Sequence, residues 1–173
     1  MELKDGKVYI IHVHSVGWIG FDIRLLERIR YGRWAWANHS AILLQDKGVW
    51  YVYEAEKSVV RTLWVNWKLV SENYRKKFIL TEVPPHYFTK PDYSTQPITD
   101  FANKLLGEGY DYFDLIVEQP IDMIIGIDLP YISKTKTICS RLVAHIIMAF
   151  TKDIFVEENI SPALIFKICS TLK

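Results

Sequence analysis

An α+β fold is predicted by three features of the chain. Two short apolar runs are joined by Asp46-Lys47-Gly48, further short apolar runs crowd the first half, and clear helical spacing marks Cys139–Phe150 and the last residues. Together they describe a small antiparallel sheet with helices before and after it.

Lys7 to Val13 has strand character, with His12 and His14 alternating against Ile11 and Val13. Phe21 to Tyr31 places Leu25, Leu26 and Ile29 at helical spacing, with Arg24, Arg28 and Arg30 among the polar positions and Gly32 closing the helix. His39–Gln45 and Val49–Ala55 form a hairpin about a three-residue turn containing glycine. A further strand covers Val59 to Leu63. Leu63 to Val70 fits a helix start or an irregular segment equally. Phe78 to Val83 is a strand stopped by Pro84-Pro85. His86 to Pro97 reads as a long loop, and Thr99-Asp100 opens a helix through Leu106, ended by Gly107. Tyr112 to Ile127 is apolar and partly helical. In Cys139–Phe150, Leu142, Val143, Ile146, Ile147 and Phe150 share a face. Ser161-Pro162 caps the last helix, Ala163 to Leu172.

The chain has 173 residues, half of them apolar, which suits one domain over residues 1–173 with a substantial core. A net charge of +1 gives no reason to expect nucleic acid or an acidic partner. Aromatic residues reach 14% and crowd between Trp18 and Trp67, enough to fill a small core or to line a groove. His12 and His14 break the apolar stretch that follows the charged Met1–Lys7, so this is no signal peptide. No run approaches the roughly 18 apolar residues of a spanning helix. A soluble, cytoplasmic protein is expected, with its two cysteines reduced.

Those cysteines differ in setting. Cys139 falls where a turn becomes an amphipathic helix, with Thr137 placed to cap it. A thiol in a first helical turn feels the positive end of the helix dipole, which favours thiolate. Cys169 lies near the end of the last helix, where the dipole disfavours thiolate, and reads as structural.

Five histidines compete for the role of base. His145 is six positions from Cys139, about 600° of rotation and ~9 Å of rise along a helix, so it points away. His86 sits in the proline-punctuated loop, and His12 and His14 share one side of the first strand. His39 opens a strand of small and aliphatic residues and shares a face with Ala41 and Leu43, neighbours that leave room for a helix end carrying a thiol. Glu54 ends Trp50-Tyr51-Val52-Tyr53 on the paired strand, where a carboxylate can fix the imidazole tautomer and stabilise its charged form. Glu56 faces the same way and stays an alternative, and either acid could instead pair with Lys57 or Arg61.

Asn38-His39-Ser40-Ala41-Ile42-Leu43-Leu44, Val52-Tyr53-Glu54-Ala55 and Cys139-Ser140-Arg141-Leu142-Val143 resemble the YiiX-like hydrolases, circularly permuted papain-like members of the NlpC superfamily. Similar supporting stretches are Ile23-Arg24-Leu25-Leu26 with Arg33-Trp34, Gly107-Glu108-Gly109-Tyr110-Asp111 and Ser161-Pro162-Ala163-Leu164. Each motif is short; the combination and its order, His then Glu then Cys, carry the resemblance. The chain departs from the family in having Arg141 where an acidic residue is usual and Ile138 where an aromatic is common.

The resemblance implies a circularly permuted papain-like fold with a nucleophilic Cys139 at the N-terminus of a late helix. It implies a Cys139–His39–Glu54 hydrolase of amide or ester bonds in peptide-like or lipid-like molecules, requiring no metal or organic cofactor. Peripheral lipid contact fits that substrate range. Lecithin:retinol acyltransferase-like proteins share the permuted layout but commonly carry an Asn-Cys-Glu-His-like motif, against Ile138-Cys139-Ser140 here. A third possibility is an idle binding module whose groove is lined by Trp34, Trp36, Trp50 and Trp64.

Overall fold

A computed structural model describes residues 2–15, 28, 36–74, 76–90, 94–110, 136–152, 154–155 and 161–172. The helix expected at Phe21–Tyr31 and the apolar stretch Tyr112–Ile127 lie outside them, as do Arg33, Trp34 and Asp111.

β1 (Tyr9–His14) is flanked on both edges, by β2 (His39–Asp46) and by β5 (Lys77–Glu82). β3 (Val49–Ala55) and β4 (Val59–Leu63) complete a five-stranded antiparallel sheet in the order β4-β3-β2-β1-β5. The hairpin turn is tighter than its composition suggests. Asp46 pairs with Val49, leaving a two-residue loop in which Lys47 and Gly48 adopt φ of 49° and 82°. Two successive positive φ values match the right-handed twist of the flanking strands.

Both sheet faces are covered, which explains why the central strands read as nearly unbroken apolar runs. On one face Ile10, Ile42, Leu44 and Tyr53 pack with Ile98, Leu142, Val143, Ile146, Ile147 and Ile165. These come from α2 (Thr95–Lys104), α3 (Cys139–Met148) and α4 (Pro162–Cys169). On the other face Tyr9, Ile11, Val13, Ala41, Leu43 and Val52 pack with Trp67 of α1 (Trp64–Asn73). The segment that fitted helix or irregular chain equally is thus a helix. Trp67 and Ser71, four apart, are the residues it buries.

One expected boundary moves. The helix assigned to start at Thr99 begins at Thr95, because the Ser94 hydroxyl accepts the Gln96 backbone N–H at 3.2 Å. Pro97 then falls in the first turn, where a missing N–H costs nothing. The loop before it is also shortened by a 3₁₀ turn at Pro85–Tyr87. Ser161 caps α4 as expected, its hydroxyl accepting from Leu164 N–H at 3.2 Å.

Two short strands place the start of α3. β6 (Gly109–Tyr110) runs parallel to β7 (Lys136–Thr137), and Gly109 bridges to Ser58 in the β3–β4 turn. Val59 clamps the same segment through backbone bonds with Glu108 and Gly107, at 2.8 and 2.9 Å. Cys139 comes two residues after β7, so the β6–β7 pairing and the Gly109–Ser58 bridge tie the start of α3 to the turn that follows the strand carrying Glu54.

Candidate active site

His39 begins β2 at a point fixed by a buried amide. Asn38, 1% exposed, donates its backbone N–H to Val13 O and accepts Ser15 N–H on its side-chain oxygen, both at 2.9 Å. Its side-chain nitrogen donates to Ser15 O at 2.8 Å, closing the clamp. β2 pairs with β3 from Ile42↔Tyr53 onward, whereas His39–Ala41 pair with β1.

Glu54 lies one residue past Tyr53 on β3 and is 4% exposed. Its Oε2 accepts His39 Nε2–H at 2.9 Å, and its Oε1 accepts the Trp67 indole N–H at 2.7 Å. Glu56 is exposed, in the turn beyond the strand, and of the two acids Glu54 is the one hydrogen-bonded to His39. Arg61 is ion-paired with Asp46, at 3.0 Å.

Nε2 is engaged by Glu54, and the His39 ring also interacts with the Cys139 sulfur, by hydrogen bonding and by charge. The route to this contact differs from the expected one. Ala41 and Leu43 pack under Trp67 rather than leaving space for a helix end. α3 lies on the opposite face, and Cys139 meets His39 at the end of β2, where the sulfur accepts the backbone N–H of Ser40. The N-cap of α3 is Ile138, one residue past the expected Thr137, and it offers no side-chain acceptor. The sulfur itself takes the Ser140 N–H, standing in for a cap at the positive end of the helix.

The electrostatics follow from these contacts. Burial alone favours the neutral thiol, but the His39 charge, its hydrogen bond and the two backbone N–H groups hold Cys139 below the ordinary thiol value. Burial opposes the imidazolium as well, yet Cys139 and then Glu54 raise His39 to about 10. Against its own desolvation, Glu54 is held low by His39, by the Lys76 charge and by the Trp67 hydrogen bond. The three groups therefore favour thiolate, imidazolium and carboxylate together. Cys139 is 2% exposed, and the His39 side chain keeps 18% of its surface.

The other candidates fall away. Cys169 is buried with no such partners, and burial pushes its thiol up to about 12. His145 is exposed, its ring edge-on to Phe101 at 5.3 Å. His86 is exposed in the 3₁₀ turn. His12 and His14 lie on the sheet face opposite His39; His12 bonds Thr81 Oγ1 at 3.1 Å, and His14 bonds Trp36 O at 2.7 Å. The described tryptophans do not form one groove. Trp36 packs on Phe166 of α4, whereas Trp50 and Trp64 pack against the core on the other face.

Sequence reasoning missed Trp67. The one signal it carried is general: a buried indole needs an acceptor for its N–H. Among the described residues no three His, Cys, Asp or Glu side chains are grouped to hold a metal ion.

No family model matches the chain, and no curated protein matches it. Among solved structures, the fold is similar to that of the metalloprotein yiiX from Escherichia coli O157:H7, with a TM-score of 0.56 at 17% identity. The similarity covers 85% of this chain and 67% of that one. The chain thus has a yiiX-like α+β fold. No helix among the described residues is long and apolar enough to cross a membrane.

Proposed function

We propose that the protein is a cysteine hydrolase of the circularly permuted papain-like type, with Cys139 as nucleophile, His39 as proton carrier and Glu54 as orienter. The observation that carries this reading is the unbroken chain of contacts from the Cys139 thiol through His39 to Glu54, at the start of a helix. The convergence of residues from three distant parts of the sequence supports nucleophilic catalysis.

In this reaction the thiolate sulfur bonds to a carbonyl carbon, and the carbonyl π electrons move to oxygen. The backbone N–H of Cys139 stabilises that oxyanion. As the tetrahedral intermediate collapses, imidazolium gives its proton to the departing amine or alcohol, and the C–N or C–O bond breaks. Neutral His39 then takes a proton from water, which attacks the thioester, and collapse expels the Cys139 thiolate as the acid product leaves. Glu54 keeps Nε2 engaged throughout and so holds the ring beside the sulfur.

The substrates this chemistry fits are amides or esters of peptide-like or lipid-like molecules. A transferase would differ only in the nucleophile that resolves the thioester, so that reading is carried by the same site. A p-nitrophenyl ester tests the proposal directly. Acyl transfer should be trapped on Cys139 in mass spectra of rapidly acid-quenched protein, and Cys139→Ala should abolish it. Acylation that persists in Cys139→Ala, or none at all in the native chain, would overturn the assignment.

A further inference from the structure

Glu54 has two carboxylate oxygens, and each meets its own donor: Oε2 meets His39 and Oε1 meets Trp67. A buried carboxylate held at one oxygen alone can turn about its last torsion and leave the other oxygen unsatisfied. The indole prevents this. Trp67 is 4% exposed, with Trp64 stacked at 5.6 Å and Phe78 edge-on at 5.4 Å, so the indole N–H meets Glu54 from within the core. An indole N–H donates and never accepts, and it does not titrate in the working range, so it favours only the ionised carboxylate.

We propose that Trp67 is a positioning residue, clamping Glu54 Oε1 so that Oε2 is presented to His39. The proposal deepens the hydrolase reading and rests on it for its catalytic meaning. The charged groups facing this contact are few. Glu54 faces His39 from β2 and Lys76 from between α1 and β5, while His39 faces Glu54 and Cys139. Trp67→Phe keeps all of these, so a change in titration reports the lost donor.

The test is the His39 ring titration followed by NMR in ¹⁵N-histidine-labelled full-length protein, with the signal assigned by its loss in His39→Ala. Trp67→Phe should lower the His39 midpoint by about one pH unit and raise the acid limb of Cys139 alkylation. Trp64→Phe removes neighbouring aromatic surface without touching Glu54 and should leave both where they were. A Trp67→Phe titration that superimposes on the native one, or an equal shift in Trp64→Phe, would overturn the proposal. Should Trp67→Phe fail to fold, benzothienylalanine at position 67 keeps the ring shape without the N–H, and the same two outcomes decide. If Cys139 proves unreactive the hydrolase reading fails, yet the His39 titration still decides whether Trp67 holds the Glu54–His39 pair.

Discussion

Replacing Glu54 by Gln is the most informative single change, because it preserves shape while altering both charge and hydrogen-bond count. In the native site two N–H donors converge on one carboxylate, from His39 at 2.9 Å and Trp67 at 2.7 Å. A glutamine amide has a single oxygen, so one donor must face an NH₂ group. With Glu54 only 4% exposed, water cannot repair the mismatch, and a loss of about 1–3 kcal/mol in stability is expected. The chemical consequence is larger. A hydrogen bond to a charged group contributes about 1.5–3 kcal/mol, or roughly one to two pKa units on the imidazolium. Since imidazolium and thiolate stabilise each other, Cys139 ionises at higher pH. The acid limb of its alkylation by iodoacetamide should rise by about one to two pH units, with the rate at pH 6 falling roughly ten- to a hundredfold. Peptide mass spectrometry on samples quenched across pH 4 to 9 reads this directly, and urea unfolding reads the stability term. An acid limb that coincides with that of the native protein in folded Glu54→Gln would refute the electrostatic argument.

Three further outcomes follow from the same contacts. Hydrolysis should fall as pH rises through about 10, where His39 loses the proton it gives to the leaving group, and a rate that keeps climbing there contradicts that role. Folding stability carries the same sign: the His39 contribution is complete below 6.5 and is lost as pH rises toward about 10. His12 works in the opposite direction. It is fully buried with its pKa lowered to about 4, so the unfolded chain takes up the proton first and stability falls between pH 6.5 and about 4, by about 3 kcal/mol. His12→Leu should flatten that acid slope in urea titrations, and an equally steep slope would show that other groups set it. Asn38→Ala removes the clamp at the entry to β2 together with its three side-chain hydrogen bonds to Ser15; a loss of about 1–3 kcal/mol is expected, with Cys139 alkylation slowed.

The parts of the fold legible in the sequence were those whose local pattern and tertiary role agree. The β2–β3 hairpin, β4 and the buried face of α3 follow from alternation and helical spacing, because the core uses those same residues. α1 resisted because it buries only Trp67 and Ser71 and leaves Val65, Leu69 and Val70 exposed, so its pattern lacks an apolar stripe. The start of α2 was masked by Pro97, which reads as a breaker until Ser94 is seen to cap the turn before it. At the site, His39, Glu54 and Cys139 were recoverable as residue types on suitable elements. Their meeting point was not. Period-two alternation placed the thiol over Ala41 and Leu43, whereas α3 packs on the other face and Cys139 comes in at the end of β2. Alternation describes a strand interior and says little about its first residues, where pairing to β3 has not begun. Trp67 escaped because a hydrogen bond from a helix to a strand leaves no fixed spacing in the sequence.

The central claim is that Cys139 is kept as a thiolate by His39, and the two cysteines of this chain provide their own control. Iodoacetamide labelling at pH 6.5, resolved by peptide mass spectrometry, should modify Cys139 well before Cys169, whose thiol is pushed up to about 12. His39→Ala should remove that preference while leaving the chain folded. Equal labelling of the two cysteines in the native protein, or a Cys139 rate that His39→Ala leaves unchanged, would contradict the account.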